Sequence, residues 1–234
     1  MKNIVVTGGT KGIGEAIVRD LCKEGHRVFS VYSSDDAAAE KQKQELKEYH
    51  LNVIKADVSD NETVKKLAST IEAECRIIDV LINNAGIAKF KSYQEITYED
   101  WLHTLQVNLT STFIVTQAFL PLLMAAEKAK IINISSVAAF NGGVVGPDYT
   151  ASKAGQLGLT RYYARELADK NITVNTIAPA LVKTDMLKKD LDPGMMPVKR
   201  FGESEEISQA VLFLMNNDYT TGQTIHVNGG LYFT

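Results

Sequence analysis

Ile4-Val5-Val6-Thr7-Gly8-Gly9-Thr10-Lys11-Gly12-Ile13-Gly14 decides the fold of this sequence. An apolar run of strand length ends in a glycine-rich turn and flows into an amphipathic pattern from Ile13 to Cys22. A buried strand, a tight turn and a helix in that order aim backbone N–H groups and a helix N-terminus at one point, which suits a pyrophosphate. The glycines turn the chain, admit phosphate to the backbone and let the helix pack close to the strand. A P-loop is the competing reading. It needs Gly-Lys-Ser/Thr, which does not follow here, so nucleoside triphosphate hydrolysis is disfavoured.

Outward from that turn, short β-rich runs alternate with helical patterns. Strands are expected at 3–6, 27–32, 52–56, 79–83, 130–135, 173–178 and 224–227, with helices at 12–23, 36–49, 61–74, 98–126, 148–169 and 205–215. Near-continuous Val/Ile strands separated by helices predict an α/β doubly wound fold: about seven parallel strands with helices on both faces. Ligands in such a sheet bind beyond the carboxyl ends of the strands, near the switch point.

With 234 residues, 45% of them hydrophobic, the chain can build one substantial core, so a single domain over 1–234 is expected. A net charge of −3 argues against general nucleic-acid affinity. No apolar run approaches the roughly 18 residues of a spanning helix, and the N-terminus enters a strand without a signal-peptide core. Cys22 and Cys75 lack metal spacing and read as buried thiols in a reducing compartment. The expectation is a cytoplasmic protein with no membrane partner. His26, His50, His103 and His226 are scattered, and no metal site is expected. The stretch 185–202 holds Pro193, Gly194, Pro197, three methionines and several lysines. It reads either as a mobile lid over a substrate or as a surface excursion with some helix.

Candidate chemistry gathers in the second half. Tyr149 and Lys153 lie four apart at a helix start, so their side chains share one face. An ammonium beside a phenol favours the phenolate and draws its pKa down from about 10, as a general acid–base group requires. An ordinary exposed pair is the alternative. Ser136 follows the strand at 130–135 and could hydrogen-bond a carbonyl or simply cap a turn. Asn83-Asn84-Ala85-Gly86 closes the fourth strand with residues suited either to a ligand or to a tight turn. Asn108 sits inside the long fourth helical pattern, where asparagine is a poor helix former, and marks a kink or a site.

Together these motifs resemble the short-chain dehydrogenase/reductase family, single-domain Rossmann-type oxidoreductases, over nearly the whole sequence. The resemblance rests on Thr7–Gly14, Asp57-Val58, Asn83–Gly86, Asn108, Ser136, Tyr149/Lys153, and Pro179 with Thr184. It implies that Tyr149 donates a proton to a developing alkoxide and that Lys153 lowers its pKa and binds the nicotinamide ribose. Ser136 would hold the substrate oxygen, and Asn108 would anchor a water linking Lys153 to solvent. It further implies a cofactor cleft of Gly8, Thr10, Lys11, Gly12, Ile13 and Gly14. Asp57 and Val58 would lie at the adenine, and Asn83, Ala85 and Gly86 on the adenosine side. Pro179, Val182 and Thr184 would complete the nicotinamide end.

NAD-preferring members place an acidic residue at the end of the second strand. That position is Tyr32, followed by Ser33 and Ser34, with Lys11 as counter-charge, so NADP(H) is expected. Asp35 and Asp36 read more simply as helix caps; a longer second strand would bring Asp35 to the ribose and favour NAD. Within the family the chain looks most like the 3-oxoacyl-(acyl-carrier-protein) reductases, on 108–113, 172–179 and 221–232. Two departures stand out: the stretch 185–202 is short, and Ala180 replaces a glycine. An acidic carrier protein would dock on a basic patch, with Lys128, Lys130, Arg161, Lys170, Lys188 and Lys189 as candidates, although Glu127 stands where a basic residue is usual. Reductases of quinones, sugars or polyketide-type thioesters share these motifs, and a catalytically silent NADP-binding protein is the alternative class. Trp101 and Tyr162-Tyr163 read as helix packing. The helices at 98–126 and 148–169 carry surplus apolar faces, which in the family pair across a dimer interface; a homotetramer is expected, with a dimer as fallback.

Overall fold

The computed structural model describes residues 1–188 and 190–233. Seven strands form one parallel sheet in the order β3-β2-β1-β4-β5-β6-β7. They are β1 (Asn3–Thr7), β2 (Arg27–Tyr32), β3 (Leu51–Lys55), β4 (Val80–Asn83), β5 (Ala129–Ile134), β6 (Ile172–Pro179) and β7 (Thr224–Val227). β4 and β5 are buried along their whole length, as expected of strands covered on both faces. Strand order runs outward in opposite directions from the β1–β4 pair. Connections therefore diverge there, and a crevice opens beyond those strands' carboxyl ends.

The helices are α1 (Gly12–Lys23), α2 (Asp36–Glu45), α3 (Asn61–Glu74), α4 (Tyr98–Leu105), α5 (Ser111–Met124), α6 (Ala138–Asn141), α7 (Pro147–Leu167) and α8 (Ser204–Met215). They divide between the two faces. On one, Ile17, Val18 and Leu21 of α1 meet Ile207, Val211 and Leu214 of α8 over Ile4, Val6 and Ile82. On the other, Ile71 of α3, Phe119 and Leu123 of α5 and Leu167 of α7 cover Val5, Phe29 and Ile131.

Three expectations need correction. The pattern at 36–49 stays helical only to Glu45, because Ala39 and Gln42 are the sole residues α2 buries and little packing extends it. The helix at 98–126 is two α-helices joined by a wide π turn, Gln106–Thr110. Hydroxyls satisfy the carbonyls that the wide turn loosens: Ser111 Oγ donates to Val107 O (2.5 Å) and Thr112 Oγ1 to Asn108 O (3.1 Å). Finally, Tyr98–Met124 taken as one rod is long and apolar enough to pass a membrane-span test, with mean hydropathy 1.4 over its best window. That apolarity serves the core, since half of the window is buried and Ile114, Val115 and Phe119 pack on the sheet. Cys22 is buried, whereas Cys75 ends α3 half-buried. Tyr163 packs as expected, but Tyr162 is exposed.

Candidate active site

Two adjoining pockets occupy the crevice. The larger, about 370 Å3, runs from the glycine turn across the ends of β2, β3, β4 and β5. Of the residues expected at a cofactor, Gly8, Thr10, Lys11, Gly12, Ile13, Gly14, Ser33, Asp57, Val58, Ala85, Gly86, Tyr149, Lys153 and Thr184 line it. The smaller, about 230 Å3, opens on the far side of Tyr149 between the Ser136 loop and the segment after β6; Pro179 and Val182 belong to it.

The turn itself demands glycine. Gly8 has φ +63°, and a side chain at Gly14 would run into the Gly8 carbonyl. Thr7, which the sequence reading passed over, fastens the opposite wall: its Oγ1 accepts from the N–H groups of Asn84 and Ala85, each at 3.0 Å. Asn84 Nδ2 returns two bonds, to the carbonyls of Thr7 and Gly8. The expected Asn83 is not in the cleft. As the last residue of β4 its side chain points into the layer below, donating to Asn133 Oδ1 (2.9 Å) and Thr116 Oγ1 (3.2 Å). Its neighbour Asn84, already past the strand, takes the cleft position.

Lys153 is buried and held at both ends by the last residue of β5 and the one after it. Its Nζ donates to Ile134 O (2.9 Å), and its backbone carbonyl accepts from Ser135 Oγ (2.8 Å). Burial pulls the ammonium down to about 8. The ammonium stands 5.7 Å from the centroid of the Tyr149 ring. Burial pushes the Tyr149 phenol up, and a hydrogen bond with Ser136 offsets this only in part. That direction is the reverse of the one drawn from the Tyr149–Lys153 spacing. Desolvation outweighs a cation that faces the ring and shares its charge with a carbonyl. Ser136 Oγ accepts from Ala138 N–H (3.1 Å), which leaves its own proton to be donated.

Asn108 is wholly buried at the π turn. Its side chain brackets Ile87, accepting from the N–H (2.8 Å) and donating to the carbonyl (3.0 Å), and also donates to Ser152 Oγ (3.1 Å). Its carbonyl accepts from Thr112 Oγ1 and Gln156 Nε2 (3.0 Å), so both of that oxygen's lone pairs are taken. These contacts make Asn108 a positioning residue that ties the loop after β4 to α7.

Asp35 caps α2, its Oδ1 accepting from Ala38 N–H (2.9 Å), and pairs through Oδ2 with Lys11. Asp36 is held by Tyr32 OH (3.0 Å) and Lys55 Nζ (2.8 Å). The smaller pocket is lined by Phe90, Val144, Val145, Met186, Leu187, Met195 and Leu231 around Ser136 and Tyr149, and among the described residues no charged one lines it. The sequence pointed to this wall only through the methionine-containing stretch 185–202, of which Lys189 lies outside the described residues. That stretch leaves and rejoins the fold at one place, through Lys183 N–H to Gly202 O and Gly202 N–H to Leu181 O, both 2.9 Å. Four of the lysines proposed for a basic patch are paired with carboxylates. Lys128 and Lys130 both bind Asp218, at the amino ends of the strands, Lys170 pairs with Asp169, and Lys188 pairs with Asp190.

The model of the short chain dehydrogenase family matches residues 2–193. The chain belongs to the short-chain dehydrogenase family, whose members are oxidoreductases that use a nicotinamide cofactor. Among curated proteins it is similar to the 3-oxoacyl-[acyl-carrier-protein] reductase of Staphylococcus epidermidis, 37% identical over 99% of both chains. It is equally similar to that of Aquifex aeolicus, 37% identical over 97% of this chain and 96% of the relative. The Vibrio harveyi reductase is 36% identical over 99% and 97% respectively. The larger pocket fits such a dinucleotide. N–H groups converge at the glycine turn, and Gly86 leaves space where a Cβ would stand 3.2 Å from Asn108 Oδ1 and 3.4 Å from Lys153 Nζ.

Proposed function

We propose that the protein is an NADPH-dependent carbonyl reductase acting on 3-oxoacyl thioesters and yielding 3-hydroxyacyl thioesters. The observation that carries this reading is the convergence of Ser136, Tyr149 and Lys153 where a dinucleotide cleft meets an uncharged, apolar pocket. When bound, the dinucleotide supplies hydride to the carbonyl carbon. The chain's own residues handle the oxygen. Ser136 Oγ donates a hydrogen bond to it, Tyr149 gives it a proton, and the Lys153 ammonium stabilises the phenolate left behind and holds the nicotinamide ribose. The apolar wall takes the hydrocarbon part of an acyl group and excludes water from the transfer.

NADPH is favoured over NADH by the absence of a carboxylate at Tyr32 and by Ser33 lining the cleft. Asp35 caps α2 through one oxygen and pairs with Lys11 through the other, so the Lys11 ammonium expected to meet a 2′-phosphate is shared with this carboxylate at the cleft wall. An acyl carrier protein as carrier of the acyl group is carried over from the relatives' names; coenzyme A is the other carrier this reading admits. The two unlinked cysteines suit the cytoplasm.

Loss of NADPH absorbance with acetoacetyl thioesters, compared with quinones and simple ketones, tests the assignment. Turnover of the thioester well above the ketones is expected; equal rates for wild type and Tyr149→Phe would overturn the mechanism and favour a silent dinucleotide binder.

A further inference from the structure

α2 is a poor candidate for hydrophobic docking, since Ala39 and Gln42 are the only residues among its ten that are buried. Yet it continues directly from Ser33, Ser34 and Asp35, which form one wall of the dinucleotide cleft. What holds it is polar. Gln42 is 2% exposed, and its Nε2 donates to the Gly9 carbonyl at 2.7 Å. Its Oε1 accepts from Ser30 Oγ, itself fully buried on β2, at 2.8 Å. Gly9 is also gripped from the strand side: its N–H donates to Val31 O at 3.0 Å, and a Cβ there would collide with Ser30 Oγ.

Three stretches far apart in sequence thus meet at one primary amide. The glycine turn presents the N–H groups that receive the pyrophosphate, and the β2–α2 junction presents the groups that meet the adenosine ribose. The spacing between the two halves of the cleft is set where Gln42 binds Gly9. An amide is the group this junction requires, because it donates at one atom and accepts at the other. A carboxylate offers no donor and sets a negative charge beside a carbonyl, under a turn that must accept phosphate.

We propose that Gln42 is a positioning residue for the dinucleotide site, locking the glycine turn to the β2–α2 junction through the Ser30–Gln42–Gly9 chain. The proposal rests on the reading that a nicotinamide dinucleotide occupies the cleft.

The test is calorimetric titration of NADP+ into the purified protein and into Gln42→Glu and Gln42→Met, with thermal unfolding followed in parallel. At about pH 8, both variants should bind roughly tenfold more weakly, the size expected for a buried hydrogen bond left unmade. At about pH 5 the carboxyl of Gln42→Glu, its pKa raised by burial, regains a proton and can donate to Gly9, so its affinity should recover toward wild type. Gln42→Met should show no such recovery. Should either variant fail to fold, Ser30→Ala keeps the Gly9 bond and removes only the hydroxyl; roughly threefold weaker binding is expected from loosening the amide. Wild-type affinity in the variants, or equal losses in Gln42→Glu and Gln42→Met at both pH values, would overturn the proposal alone. If the wild-type protein binds no dinucleotide, the reading of the cleft falls and the proposal falls with it.

Discussion

Tyr149 and Lys153 sit under opposed demands. The same burial raises the phenol and lowers the ammonium. Replacing Tyr149 with Phe keeps the ring and removes the proton, so carbonyl reduction should fall by about 10²–10⁴-fold while NADP+ binding persists; steady-state rates beside calorimetric affinities check this. Lys153 also carries a stability signature. Its folded pKa of about 8 lies below the 10.5 of the unfolded chain, so below pH 8 both states are protonated and the folded state carries the full cost of burying the charge. As pH rises from about 8 to 10.5 the folded state sheds its proton first, and the protein should gain up to roughly 3 kcal/mol from this group. Urea denaturation at the two ends of that window should show the gain in wild type and lose it in Lys153→Met. Ser136, Tyr149 and Lys153 were found through the family resemblance, since a four-residue spacing and a serine after a strand each also suit an ordinary exposed pair or a turn cap. Asn84 was not, because Asn83 and Asn84 are alike in sequence and only the end of β4 decides which one enters the cleft. Gln42 could not be found from sequence at all: its partner Gly9 lies 33 residues away and contributes only a carbonyl.

At the level of elements, the π turn does the most. It sets Asn108 wholly inside the protein, between Ile87 and Ser152, where a regular helix would direct its neighbours differently. Asn108→Ala should therefore cost about 3 kcal/mol in urea unfolding, since Ile87 N–H is left without its partner and two donated bonds are lost as well. The same change should raise the dinucleotide KM, because the loop beginning at Gly86 loses its tie to α7. The sequence disclosed the anomaly, a poor helix former in a long apolar helix, but not its form. Apolar periodicity cannot separate one rod from two rods offset by a wide turn. Strand existence was far easier to read, since Val/Ile runs between helices leave few other ways to bury both faces; boundaries moved by a residue or so, where pairing with neighbours rather than composition sets the end.

For the whole molecule, the sheet order was implied once the strands were parallel and the connections helical, because crossovers of one hand allow few arrangements. Assembly is a separate matter. Leu102 of α4, Phe113 of α5 and Tyr162 of α7 remain exposed. The family resemblance implies that these helices pair across a dimer interface. Phe113→Glu should then shift sedimentation toward the monomer, and a wild-type protein that sediments as a monomer would refute the assembly.

The pairing of α1 with α8 bears on biosynthesis. Leu21 and Val18 are translated near the beginning of the sequence, while Ile207, Val211 and Leu214, which cover them, follow only after nearly everything else. A ribosome-bound chain therefore carries an uncovered apolar stripe on α1 until α8 has been made.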